Sequence, residues 1–183
     1  MNQYLLPLNH LFAANANAQN ALAMKAYMKN RFEFFGIRST QRRELQQAFL
    51  AEENDLQLIE QLILTKSWWD TVDGLASWVC GPYFLKFPEK KRPITDAWAI
   101  SENMWLRRTS IIFQLGYKRK NDTELLFKHI ELNLGTKEFF INKAIGWSLR
   151  EYAKTDAGLV SDYVKQMEKK LHPLSVREAL KNL

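Results

Sequence analysis

The stretch TKSWWDTVD, residues 65–73, sets Trp68, Trp69, Asp70 and Asp73 within six positions. On a helix Trp69 and Asp73 are four residues apart and share a face, and Asp70 lies three residues before Asp73. Val72, Leu75, Ala76 and Val79 form the adjoining apolar stripe, so Asp73 stands at the edge of a core-facing surface beside an indole. A carboxylate placed there either caps a nearby donor or is poised toward a ligand. The plainer reading is that Trp68 or Trp69 is ordinary packing and that Asp70 is an N-terminal charge favoured by the helix dipole.

Two further positions have the same ambiguity. Arg108 follows Met104 by four residues and precedes Ile111, Ile112 and Leu115 by three, four and seven, so it shares a stripe with apolar side chains. An arginine in that setting requires an anionic partner, either an internal carboxylate or a phosphate. Trp147 falls on a face with Phe140, Ala144 and Glu151, with Lys143 and Arg150 one turn away; large aromatics of this kind are more often core than ligand-binding.

These side chains must be delivered by helices. The 183 residues carry only seven Gly and five Pro, few for an all-β fold that needs many tight turns. Capping residues precede apolar runs of helical spacing throughout: Ser39, Asn54, Ser67, Ser101, Asn121 or Asp122, Thr136 and Asp156, with Ser175 and Glu178 in the form of a capping box. Between them Leu56, Ile59 and Ile63, then Val160, Val164, Met167 and Leu171, repeat with helical period. No alternating strand is evident, and the expected class is all-α. Four of the caps keep a rhythm: 34 residues from Ser67 to Ser101, 35 to Thr136 and 39 to Ser175. That interval, with two helices per unit, predicts an α-solenoid of antiparallel HEAT-like pairs, a curved slab with a concave basic groove in a single domain over 1–183. The alternative is a non-repetitive helical domain whose caps are evenly spaced by chance.

If the units stack, the helices opening near Ser67, Ser101 and Thr136 lie side by side. Trp69, Asp73, Arg108 and Trp147 then converge on the concave face. Aromatic rings and a carboxylate attract a cation, while the guanidinium and neighbouring lysines attract phosphate. DNA alkylated at a purine ring nitrogen carries both charges: a positive base between negative phosphates.

At these residues the chain resembles the AlkD family of bacterial DNA alkylation-repair glycosylases, which are built of HEAT-like repeats. The resemblance runs through AYMKNRFEFFGIRSTQRREL, LTKSWWDTVD, ENMWLRRTSIIFQLGYK, LLFKHIELNLGTKEFFINKAIGWSLREYAK and LSVREALKNL, in the family's order over most of the chain. It implies that Asp73 is the catalytic carboxylate, that Trp69 and Trp147 are the active-site tryptophans, packing on the deoxyribose, and that Arg108 is the active-site arginine, holding the DNA backbone. Tyr27, Lys29, Arg38, Lys143 and Arg150 fall to DNA binding. The implied reaction is hydrolysis of the N-glycosidic bond of 3- or 7-alkylpurines in duplex DNA, by a monomer with no metal and no organic cofactor; the alternatives are a DNA-binding relative without excision activity and a protein-interaction scaffold. One departure stands out: between STQRREL and LIEQLILTKSWWD only QQAFLAEENDLQ remains where the family carries a further helix pair. About one unit, on the order of 40 residues, is missing there.

Other signals are negative. The net charge of +6 is a mild bias toward polyanions, equally compatible with a soluble basic protein. A single cysteine, Cys80, and three scattered histidines offer no disulfide framework and no metal spacing. The opening MNQYLLPLNHLF lacks a basic region and a long apolar run, so neither a secretion leader nor a membrane partner is expected, and a cytoplasmic location is. Cys80, near GPYF at an expected helix end, reads as packed and inert, and PEKKRP (88–93) as an exposed loop between helices.

Overall fold

The computed structural model describes residues 6–27, 30, 33–38, 40–41, 53–65 and 67–183. Every regular element among them is helical. The chain divides into two compact units, 1–50 and 51–183. The expected cap Ser39 lies outside the described residues.

In the first unit α1 (Leu6–Ala14) and α2 (Ala18–Tyr27) are joined by a turn at Asn17. The Asn17 side chain accepts from the Asn20 amide at 2.9 Å, and the Asn17 amide donates to the Phe35 carbonyl at 2.8 Å. Gly36 sits opposite with φ +71°, and a side chain there would lie 2.0 Å from the Asn17 carbonyl, so the position demands glycine. Phe12 and Phe35 close the unit edge to face, 5.8 Å apart.

The second unit begins with α3 (Leu56–Leu64) and α4 (Trp69–Leu75). A single π turn (Ala76–Cys80) then leads directly into α5 (Gly81–Lys86). Pro82 explains the turn. It has no N–H to return to the Trp78 carbonyl, and the strain is taken up by a shifted register in which the Gly81 amide donates to the Ala76 carbonyl. The helix therefore continues through GPYF instead of ending there. Gly81 itself permits close packing: a Cβ would lie 2.8 Å from the Phe113 carbonyl, and Tyr117 donates its hydroxyl to the Gly81 carbonyl at 2.6 Å.

After α6 (Pro88–Ala99) come α7 (Met104–Ile112), α8 (Thr123–Glu131), α9 (Phe139–Ala153), α10 (Ala157–Met167) and α11 (Pro173–Ala179). Helices α4, α7, α9 and α11 form a row in which each packs on the next; α6, α8 and α10 flank it, with α6 against both α7 and α8 and α10 against α9 and α11. The starts of the row helices, at 69, 104, 139 and 173, are 35, 35 and 34 residues apart. The repeat is thus more regular than its caps suggested.

The caps themselves moved. Asp122 and Asp156 cap as expected, accepting from the amides of Leu125 at 3.2 Å and Leu159 at 2.9 Å. Ser67 does not cap α4, because the linker is so short that its hydroxyl still reaches back to the Ile63 carbonyl of α3 at 2.5 Å. Ser101 and Thr136 instead accept from Asn103 and Glu138 in linker turns, and Asn103 is the residue that caps α7. The Ser175–Glu178 pair is no capping box: α11 opens earlier, at Pro173, with the His172 ring accepting from the Leu174 amide. PEKKRP is likewise helix, because Pro88 occupies the first position, where a missing N–H is harmless.

Two apolar clusters hold the second unit. One gathers Ile111, Ile112, Leu126, Ile130, Ile141, Ile145, Leu149, Val160 and Val164; the other gathers Ile59, Ile63, Tyr83, Phe84, Trp98, Phe113 and Leu125. Cys80 is fully buried in the latter, and desolvation pushes its thiol far above the ordinary range, so it is chemically silent at neutral pH. Polar staples join the flanking helices. Asp122 takes Lys91 at 2.9 Å and Arg92 at 3.1 Å, while Asp96 takes Lys128 at 2.8 Å and faces the His129 ring at 3.0 Å. No described helix is long and apolar enough to cross a membrane.

Candidate active site

The row converges on one cavity of about 350 Å³, lined by Trp69, Asp73, Arg108, Phe139, Phe140, Lys143, Trp147 and Arg150. Helix α4 contributes the first two side chains, α7 the arginine and α9 the rest. Four residues read from the sequence as converging from three different helices do so, together with the two basic residues assigned to them on α9.

At the centre is a bidentate ion pair. Arg108 donates from Nε to Asp73 Oδ1 at 2.7 Å and from Nη2 to Oδ2 at 2.8 Å. Its Nη1 donates to the Phe140 carbonyl, so the guanidinium is anchored to both neighbouring row helices. The partner that the buried stripe required is therefore an internal carboxylate. Arg108 is only 3% exposed and Asp73 13%, and both line the cavity. A carboxylate has about four lone-pair directions, and the forked arginine takes two of them along one edge. The two that remain lie on opposite flanks of the group, and Asp73 lines the cavity.

The walls are aromatic and basic. Trp69 is 47% exposed at the rim, and Trp147 is half-buried against the larger core cluster. Trp68, by contrast, belongs to an aromatic buttress: it packs on Trp105 at 6.4 Å and on Phe140 at 5.8 Å, and Trp105 on Phe140 at 5.3 Å. Phe140 also lies under the Arg108 guanidinium at 5.9 Å. Glu178 of α11 reaches between the two wall cations, accepting from Lys143 at 2.8 Å and from Arg150 at 2.7 Å; the Lys143 contact foremost holds its carboxyl below the ordinary range. Gly146 makes this approach possible, since a Cβ there would lie 2.5 Å from Glu178 Cβ and 2.8 Å from the Ser175 carbonyl. The cavity lining then carries three cations and one anion, with Glu178 pairing two of those cations from outside it.

Phe139, Trp68, Trp105 and Glu178 were not singled out for the site by sequence. The paired Phe139–Phe140 at a helix start is a usable signal for the first. Glu178 was masked by its resemblance to a capping residue. Of the remaining DNA-binding expectations, Tyr27 and Arg38 are exposed in the first unit, and Lys29 lies outside the described residues. Among the described residues no group of three or more His, Cys, Asp or Glu side chains could hold a metal ion.

Residues 8–56 and 48–183 match the family described as DNA alkylation repair enzyme. The two matched segments meet at 48–56, within the QQAFLAEENDLQ stretch where a unit was expected to be missing. No curated protein matches the chain. Among solved structures, the chain is similar to one described as a predicted DNA alkylation repair enzyme from Enterococcus faecalis, with 30% identity and a TM-score of 0.63 over 92% of this chain and 96% of that one.

Proposed function

The chain belongs to the DNA alkylation repair enzyme family, and on that premise we propose that it is a DNA glycosylase that hydrolyses the N-glycosidic bond of cationic 3- or 7-alkylpurines in duplex DNA. The observation that carries the reading is the Asp73 carboxylate, held by the forked Arg108 guanidinium and lining a cavity walled by Trp69 and Trp147.

The lesion's positive charge makes the base a good leaving group. As the bond breaks, the deoxyribose gains oxocarbenium character. Asp73 stabilises that charge and orients the water that attacks the sugar carbon, accepting a proton from it as the new C–O bond forms. Because Asp73 is fixed before substrate arrives, little reorganisation accompanies the step. Trp69 and Trp147 pack against the deoxyribose, and their ring faces share the developing charge. Arg108 was assigned to the DNA backbone by resemblance. Its three donors to Asp73 and Phe140, and its burial, favour a different part: aiming the carboxylate. Lys143 and Arg150 then meet the phosphates beside the lesion, in a concave basic groove along a solenoid of HEAT-like pairs. No metal or organic cofactor is required.

Incubation with methylated duplex DNA tests this directly, with release of 7-methylguanine above the spontaneous rate as the expected outcome. The Asp73→Asn variant should lose on the order of 100-fold or more of that rate while still binding duplex. A second reading, DNA binding without excision, is favoured by the two-part family match around 48–56. It predicts salt-sensitive duplex binding by wild type and no released base.

A further inference from the structure

Several cations of the second unit are held by an acid on another helix: Lys91 and Arg92 by Asp122, Lys128 by Asp96, Arg108 by Asp73. One run is an exception. Lys118, Arg119 and Lys120 are consecutive, exposed, and lie in the connection between α7 and α8. Among the described residues no ion pair or hydrogen bond engages their side chains. Lys118 has φ +52°, in the left-handed region that glycine or asparagine occupies more readily.

The run is not isolated from the proposed site. It lines an open hollow of about 590 Å³ together with Lys154 at the end of α9. On α9 the residues Lys143, Trp147, Arg150 and Lys154 follow one another at four, three and four positions, one stripe of a helix that begins at the cavity. The first three line the cavity, and the last reaches the basic run. At 1.5 Å per residue the stripe covers about 16 Å from Lys143 to Lys154. A strand advances about 3.4 Å per nucleotide, so that length corresponds to about five nucleotides.

We infer that Lys118, Arg119, Lys120 and Lys154 form a second phosphate-binding site, which holds the duplex backbone about five nucleotides from the lesion. The inference rests on the glycosylase reading, extending its substrate contacts along α9. Among the described residues Lys154 is paired only with Glu151, three positions before it, an exposed contact that a phosphate displaces readily. The site adds affinity and register without touching the reacting sugar.

The test is a triple variant, Lys118→Asn, Arg119→Ser and Lys120→Ser, with asparagine chosen because it tolerates the left-handed position. Affinity for a methylated duplex extending ten base pairs to each side of the lesion is measured against salt. Each lost phosphate contact lowers the slope of log affinity against log salt by about 0.9. A loss of one to three contacts, and roughly a tenfold weakening at low salt, is expected, with the single-turnover excision rate at saturating protein unchanged. Cutting the duplex back to two base pairs on the contacted side should bring wild type and variant together. A variant that keeps the full wild-type slope overturns the inference while excision by wild type leaves the glycosylase reading intact. Binding to anionic lipid vesicles that depends on the three cations, with duplex affinity untouched, overturns it in favour of a membrane surface. Wild type that neither binds duplex nor excises removes both.

Discussion

Asp73 and Asp122 are the same chemical group, and each is gripped by basic side chains about one repeat away in the chain. Asp122 accepts four hydrogen bonds: one from Lys91, two from Arg92 and one from the Leu125 amide. That number fills the lone-pair directions of a carboxylate. Asp73 accepts two, both from a single forked guanidinium on one edge. The first is a finished joint between α6 and α8. The second takes both its bonds from one guanidinium, has capacity left, and lines a cavity walled by indoles. Burial does not separate the two acids; the number of donors each has, and the cavity that one of them lines, do.

The comparison breaks first at the chemistry. Asp73→Asn should reduce base release by the 100-fold or more given above, whereas Asp122→Asn should leave it within about twofold, because Asp122 touches nothing in the cavity. Equal losses in a methylguanine-release assay would show that the contrast has no functional content. Next in size is Arg108→Ala. It leaves the Asp73 carboxylate and the Phe140 carbonyl without their donor in a nearly closed site, which should destabilise the fold by about 3–5 kcal/mol in chemical denaturation. Arg108→Lys should recover part of that stability but little activity, since an ammonium cannot hold both carboxylate oxygens in the forked geometry.

A smaller change sharpens the cavity side. Gly146→Ala forces a methyl group against Glu178 and the Ser175 carbonyl. It should cost about 1–3 kcal/mol by displacing α11, and should loosen duplex binding as Lys143 and Arg150 lose their shared partner. The smallest effect belongs to Asp122→Asn itself, no more than about 1 kcal/mol at neutral pH, because asparagine still caps α8. Its signature is in the pH dependence. Burial alone would raise the Asp122 pKa, but Lys91, the Leu125 amide and Arg92 outweigh it and hold it below the ordinary carboxylate value. A depressed pKa contributes stability that is present above the unfolded value, near 4, and is lost as pH falls through the folded one. The asparagine variant should therefore show a shallower loss of stability below about pH 4 than wild type. An unchanged acid limb would mean that the joint is electrostatically inert.

How far these arrangements are legible in sequence depends on the range of the interaction that creates them. The convergence of Asp73, Arg108, Trp69 and Trp147 was readable because each shared a stripe with core residues, and a stripe is a local property. The repeat was readable too, although its markers were displaced by two or three residues. Ser101 and Thr136 ahead of a helix satisfied turns in the linker, leaving the cap to Asn103 or to backbone geometry. Glu178 was not readable, because its partners lie 28 and 35 residues earlier on another helix and its spacing from Ser175 imitated a cap. PEKKRP was misread for a related reason: two prolines and a charge run signal a loop, unless partners such as Glu53 and Asp122, distant in sequence, neutralise the charges.

The π turn between α4 and α5 has one further consequence. Successive residues of an α-helix are about 100° apart around its axis, so an inserted residue acts as an angular offset between the two ends of a rod. Tyr83 and Phe84 are locked into the core at one end; the extra residue decides which way the other end looks. Excising any one position among 76–80 would swing the acid about a quarter of a revolution away from its guanidinium. The irregularity is what aims the carboxylate.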